Sequence, residues 1–312
     1  MPTLPAVERR TIDLAGLAVP LVELTGSADG PTLTVIAGVH GCEYASMAGV
    51  RRWLRTLEGR ELRGRVRAVP VLNVTAFAAR TPFLVPEDGK NLNRSFPGDP
   101  DGTLAERLAW AAFTELIRGS DAYVDAHCGD LVEALQPFAL YEAGPAEERA
   151  RELATAYGLP YVIRQPAGSG RTVNGTSSSS AAELGIPAIT AEAGGCGLVE
   201  EHAVALHVAG LDGVLASLGM IAPPVPAPER KRAAPTYLGQ FLWPRCARGG
   251  WWEPAVKPGD TVTSGQVLGT VSSLDGGCVR ETVTAPADGV IIFVTSSPAV
   301  ADDGLLLGLG AA

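Results

Sequence analysis

LTVIAGVHGCEYAS, residues 33–46, decides the reading of the chain. Leu33, Val35, Ile36 and Val39 form the short apolar run of a covered strand, while Gly38 and Gly41 mark tight turns of backbone. The strand is predicted to end at His40. Glu43 follows three residues later, so the stretch reads His-x-x-Glu at a strand-to-helix corner. Two imidazoles and one carboxylate around a zinc ion, with a fourth position left to water, make a hydrolytic arrangement. A third ligand must come from elsewhere, and the chain has only four histidines, at 40, 127, 202 and 207. His127 closes another apolar strand, AYVDAH, and is the candidate. His202 and His207 lie in a segment of helical apolar spacing, which predicts a solvated or core-edge role for both.

The chain has 312 residues, 46% of them hydrophobic, enough for one large core or a core with a smaller satellite domain. A net charge of −9 argues against nucleic-acid and anionic-membrane partners, which need clustered basic residues. Lysine occurs only at 90, 231 and 257. MPTLPAVERRTIDL has no apolar stretch behind a basic start, and no window reaches 18 uninterrupted apolar residues. A soluble, cytoplasmic protein is expected. Five cysteines without framework spacing predict free thiols. Cys42, Cys128 and Cys196 lie beside the proposed site and read as small buried residues suited to crowded turns rather than as ligands.

Elsewhere, strand and helix alternate. Residues 11–25 predict two short strands, YASMAGVRRWLRTLEG a helix stopping at Gly59, and VRAVPVLN, residues 66–73, a strand. Residues 75–102 read as a long Pro- and Gly-rich loop, whose aromatic residues argue for function rather than disorder. Thr103 to Ile117 reads as helix, with Thr103 and Glu106 in a capping-box pattern. The serine run 177–180 suits a helix start; it lacks the strand–elbow context of a nucleophile. IPAITAEAGG is a buried strand ending in Glu192, an acid that is costly there unless it serves the site. The fold expected for residues 1–222 is a three-layer α/β/α sandwich with a mixed sheet. A Pro/Ala linker spans 223–235. Beyond it, residues 236–312 read as a small all-β barrel or sandwich with short strands between PGD, SGQ and ADG turns.

GVHGCEY, the run DGKNLNRSFPG at 88–98, VDAH and ITAEAGG together resemble the succinylglutamate desuccinylase and aspartoacylase family, a branch of the zinc carboxypeptidase-like hydrolases. The resemblance covers nearly the whole chain. It implies one zinc ion per chain held by His40, Glu43 and His127, with Glu192 as general base and proton shuttle. It also implies that Arg80 polarises the scissile carbonyl and that Asn93 and Arg94 grip the substrate carboxylate, with Asn91 a competitor for the amide role. Asp125, on the same strand face as His127, is placed to orient that ligand.

Arg171 is the cationic residue that the segment 168–180 offers to substrate, and the small residues after it suggest a small acyl group or a polar substrate. The C-terminal turns also resemble biotinyl and lipoyl carriers, but the loop SSLDGGCVRET holds no lysine, so no attached cofactor is expected. That domain reads instead as a lid or assembly surface that excludes long peptides. The activity implied is removal of an N-acyl group from a small amino acid or related amine. A carboxypeptidase is the alternative, a non-enzymatic binding protein is the remote one, and homo-oligomerisation is left open.

Overall fold

The computed structural model describes residues 3–166, 175–222 and 234–311. Two strands, β1 (Ala6–Leu14) and β2 (Leu17–Thr25), open the chain as an antiparallel hairpin. Its turn, Ala15-Gly16, has positive φ at both residues, the backbone that closes two-residue hairpins. These strands are longer than the two short ones expected over 11–25. β1 is almost wholly exposed, so it lacks the apolar alternation that would reveal it, and pairing with β2 carries it instead.

The strands β3 (Ala28–Ala37), β4 (Arg63–Val69), β5 (Ala122–His127), β6 (Glu133–Leu135), β7 (Phe138–Glu142), β8 (Tyr161–Gln165), β9 (Ala188–Glu192) and β10 (Thr236–Leu238) follow. The main sheet runs in the order β1-β2-β4-β3-β5-β9-β7-β8-β10. It is mixed: β4, β3, β5 and β9 are mutually parallel, β7 turns against β9, and β8 and β10 run with β7. Six helices cover it: α1 (Tyr44–Leu57), α2 (Val74–Ala79), α3 (Leu104–Ala112), α4 (Glu147–Tyr157), α5 (Ser177–Glu183) and α6 (Glu201–Ser217). Leu33, Val35 and Ala37 of β3 face a core built with α1, α4 and α6, whereas Ile36 faces a second core built with α3 and α5. The period-2 alternation of a strand thus divides the three layers.

Several boundaries move from the expected ones. β3 ends at Ala37, so His40 stands three residues beyond the strand rather than at its end. The strand expected over 66–73 runs from Arg63 to Val69, and the residues after it turn back to bond Ala37 and Gly38. The long loop contains α2 and a single 3₁₀ turn, Leu92–Arg94. Thr103 does form its capping box with Glu106, but the helix passes into a π-helical turn at Phe113–Ile117.

The remaining strands are β11 (Gln240–Leu242), β12 (Gly250–Pro254), β13 (Thr261–Val262), β14 (Val267–Ser272), β15 (Val279–Thr284), β16 (Gly289–Thr295), β17 (Ala299–Val300) and β18 (Leu307–Ala311). They form two antiparallel sheets, β11-β18-β16-β13 and β15-β14-β12-β17, around Trp252, Leu268, Val271 and Ile291. The expected architecture, a mixed α/β sandwich with antiparallel β structure after it, is the one observed. Two strand pairings cross between the parts: β10 adds to β8 of the main sheet, and β6 pairs with β16. Most of the expected linker, 223–233, lies outside the described residues.

His207 differs from expectation. It is fully buried in α6, with Nδ1 2.8 Å from the Tyr157 hydroxyl and Nε2 3.1 Å from the Ala193 carbonyl. Apolar residues surround α6 on most sides, so periodicity marks no wet face for it. Burial lowers its pKa to about 4, leaving it neutral. Gly49 of α1 lies directly against it, and a Cβ there would come within 2.5 Å of the His207 Cβ. Gly49→Ala should therefore destabilise the protein by about 1–3 kcal/mol by overpacking. Urea denaturation measures this, and an unshifted midpoint would mean that α1 and α6 separate freely.

Candidate active site

The corner after β3 is stitched in place by backbone. Leu72 N–H donates to the Ala37 carbonyl, Asn73 N–H to that of Gly38, and Asn73 Nδ2 to that of Val39. Gly41 packs so tightly on α2 that a Cβ would fall 2.3 Å from the Ala76 carbonyl carbon. His40 and Glu43 are thereby held at the start of α1, where β5 delivers His127.

The three side chains are buried and meet on one carboxylate. Glu43 Oε1 lies 2.6 Å from His40 Nδ1 and Oε2 2.7 Å from His127 Nδ1. The other ring nitrogens have their own partners: His40 Nε2 is 3.0 Å from Asn91 Oδ1, and His127 Nε2 is 3.0 Å from Asp125 Oδ2. When each Nε2–H donates to its oxygen, a neutral ring turns a bare Nδ1 lone pair toward Glu43. Lone pairs cannot face a carboxylate at that distance without positive charge between them, either a proton or a metal ion. The potential ligand atoms all lie within 4.8 Å of one another, and two imidazoles with one carboxylate suit a divalent ion such as zinc. In the absence of metal, burial opposes charge on Glu43, but the two imidazoles hold its pKa down to about 2. Burial likewise opposes protonation of His127, and Asp125 and Glu43 together outweigh it, raising its pKa well above the usual value.

Behind His127, Asp125 is fully buried and its Oδ2 also accepts from Ser177 Oγ and, at 3.4 Å, from Asn93 Nδ2. Asn93 Oδ1 accepts from Ser177 N–H at 2.9 Å. The amide of Asn93 is therefore spent on positioning His127 and α5 rather than turned to a substrate carboxylate, and Asn91, the competitor, is spent on His40. The serine run supplies a brace at Ser177, and Thr176 caps α5 by accepting from Ser179 N–H.

Glu192 lies in register with His127 across the β5–β9 pair. Its carboxyl is pushed well above the usual range by burial, with Glu43, Glu133 and Asp125 adding to the effect and His127 opposing it. It opens into a cavity of about 630 Å³ together with His40, Glu43, His127 and Arg94. Arg94 donates from Nη1 to the Asn93 carbonyl at 2.6 Å and forms no ion pair with a carboxylate among the described residues, so the rest of its guanidinium faces the cavity. The long loop returns Phe83 edge-on to His40, with ring centroids 5.5 Å apart.

Arg80 is not brought into this group. It ends α2 in left-handed backbone, φ 55°, is exposed, and does not line the cavity. Arg171 lies outside the described residues. Sequence reading missed Glu133 and Glu142, which line the cavity and whose pKa values burial raises to about 7 and about 8. The part beyond residue 235 was expected as a lid or assembly surface, but its residues in the cavity wall, Phe241, Trp243, Arg245, Asp303 and Leu305, were not named. Glu142 carries the same signal as Glu192, an acid closing an apolar strand. Glu133 had none, since DLVEALQ shows no strand pattern.

Residues 29–218 match the family described as Succinylglutamate desuccinylase/Aspartoacylase catalytic domain. The N-alpha-acetyl-L-2,4-diaminobutyric acid deacetylase of Halomonas elongata is 30% identical over 276 residues, 86% of this chain and 79% of that protein. Among solved structures, the product-bound Ectoine utilization protein EutE (DoeB) from Ruegeria pomeroyi has a TM-score of 0.83 at 24% identity, covering 99% of this chain and 94% of that one. The succinylglutamate desuccinylase/aspartoacylase from Rhodobacter sphaeroides has a TM-score of 0.81 at 24% identity, covering 98% and 94%. At that identity these two establish the fold alone.

Asp125→Asn should weaken divalent-metal binding about 10- to 100-fold, because the carboxylate fixes the His127 tautomer. His127→Ala should abolish it. Competition against a chromophoric chelator reads both, and undiminished affinity in His127→Ala would place the ligand elsewhere.

Proposed function

The chain belongs to the succinylglutamate desuccinylase/aspartoacylase family, and from that premise we propose that it is a zinc-dependent amidohydrolase removing the acyl group from a small N-acyl amino acid or related amine. The observation that carries this reading is the convergence of His40, Glu43 and His127 on one point beside Glu192, in a cavity that also presents Arg94. The Halomonas elongata relative is named for removing acetate from a diamino acid, which supports N-acetyl amino acids as the first class to try.

When bound, a zinc ion supplies Lewis acidity that polarises a carbonyl and acidifies water. The remaining tasks fall to the protein. Glu192 takes the proton of the attacking water on a carboxylate oxygen and returns it to the leaving nitrogen. Burial raises its pKa above the usual carboxylate range, which favours its holding the proton it takes from water until the nitrogen leaves. Arg94 binds the substrate carboxylate through its planar fork. Asp125, Asn93, Asn91 and Ser177 hold the imidazoles in place. Arg80 takes no part in the cavity as it stands, so a role at the scissile carbonyl would require its loop to move inward.

We read residues 1–222 as the catalytic part and 236–312 as a β domain that walls the cavity. Phe241, Trp243 and Arg245 wall the cavity from beyond residue 235, which supports small substrates over a carboxypeptidase reaction.

Zinc-loaded protein offered N-acetyl, N-succinyl and N-formyl amino acids should release amine from one class, and a chelator should stop it. Cleavage confined to peptides would instead make the chain a carboxypeptidase. Glu192→Gln should keep its metal and lose about 10²-fold or more in kcat; full turnover in that variant would remove Glu192 from the reaction.

A further inference from the structure

Glu142 has a place in the cavity that the reaction does not explain. It closes β7, is 6% exposed, and makes no side-chain hydrogen bond or ion pair among the described residues; its Oε1 is buried without a partner. An isolated buried carboxylate costs several kcal/mol, and native folds seldom keep one without use. No charge among the described residues acts on it. Burial raises its pKa to about 8, and neither Arg94 nor Arg245 of the cavity wall holds it ionised.

Its direction is set by the strand. Phe138, Leu140 and Glu142 alternate onto one face of β7, and all three line the cavity, as do Thr190 and Glu192 of the adjoining β9. Phe138 stands opposite Glu192, so Glu142 lies four residues, about 13 Å of strand, from the position of the proposed proton shuttle. The two carboxyls therefore serve different parts of one ligand. Phe241 and Trp243, with ring centroids 4.3 Å apart, line the same cavity beside Phe138, whose ring centroid lies 5.3 Å from that of Phe241. A buried carboxylate without a partner, facing a cavity, is a setting for an alkylammonium group. Arg94, in the same cavity, offers the opposite charge.

We propose that Glu142 is the specificity-determining carboxylate of this cavity, accepting the side-chain ammonium of an N-acyl diamino acid whose α-carboxylate is held by Arg94. The inference rests on the deacylase reading for the acyl group, but the recognition of a cation stands on Glu142 itself. Binding of the ammonium ionises Glu142 and supplies the partner that the fold withholds. Acidic side chains would be rejected, because the cavity already crowds Glu43, Glu133, Glu142 and Glu192.

The test compares two amino acids of the same shape, 2,4-diaminobutyrate and 2-aminopentanoate, which differ in a terminal ammonium against a methyl. Calorimetry on the zinc-loaded full chain should give about 10- to 100-fold tighter binding of the diamine, the range expected of a charged hydrogen bond. Glu142→Gln and Glu142→Met should each collapse that ratio to within about threefold. The ratio of kcat/KM for the two Nα-acetyl derivatives should follow the same pattern. No preference in the wild type, or a preference that survives both substitutions, overturns the proposal. Hydrolysis without discrimination would remove Glu142 alone. Calorimetric discrimination lost in the variants, but without hydrolysis of any acyl compound, would uphold Glu142 and overturn the deacylase reading.

Discussion

The structure depends on one carboxylate shared between two imidazoles. Glu43 faces His40 Nδ1 with one oxygen and His127 Nδ1 with the other, and the three groups arrive from different parts of the fold. His40 stands on the link after β3, Glu43 on the first residue before α1, and His127 at the end of β5. None of these placements is cheap in a buried setting. Each histidine must show its bare nitrogen inward, and that requires an acceptor behind it. Asn91 and Asp125 are those acceptors, and Asn93 and Ser177 anchor them in turn. Much of the loop 75–102 and the start of α5 can be understood as support for two imidazole tautomers.

Electrostatics give the cavity its second character. Glu43, Glu133, Glu142 and Glu192 line one space, and burial raises three of them by disfavouring charge. Only Glu43 is pulled down, by the imidazoles that flank it. The distribution separates duties. The group held ionised is the one suited to a cation, and the groups whose charge burial disfavours are those able to exchange a proton or to await a charged partner.

How much of this was legible in the sequence follows from what each residue needs locally. His40, Glu43, His127 and Glu192 could be picked out because polar residues at the ends of apolar strands contradict burial, and contradiction is visible in one dimension. Asp125 followed from strand alternation. Asn93 was identified as a site residue, but its direction was not readable: whether an amide faces a ligand or the back of an imidazole depends on Ser177, which lies far along the chain. The exposed position of Arg80 depends on the left-handed backbone that ends α2, a conformation that its neighbours do not announce. Trp243 and Arg245 line the cavity in a part of the chain that joins the main sheet by the pairing of β6 with β16 and of β10 with β8. Such long-range registers leave no local signature. His207 was obscured because α6 is apolar on nearly every side.

Those two pairings also bear on how this fold can vary. β8 would be an open edge of the main sheet without β10, and β6 would have no neighbour without β16. An uncovered edge offers unpaired amides and carbonyls to any other chain. Residues beyond 235 are thus both one wall of the cavity and the cover for two raw edges. A graft of this region from a relative, made to alter substrate preference, has to carry compatible edge strands as well as new cavity residues. Lineages that change what they hydrolyse would be expected to revise side chains on a retained β scaffold sooner than exchange or discard the scaffold itself.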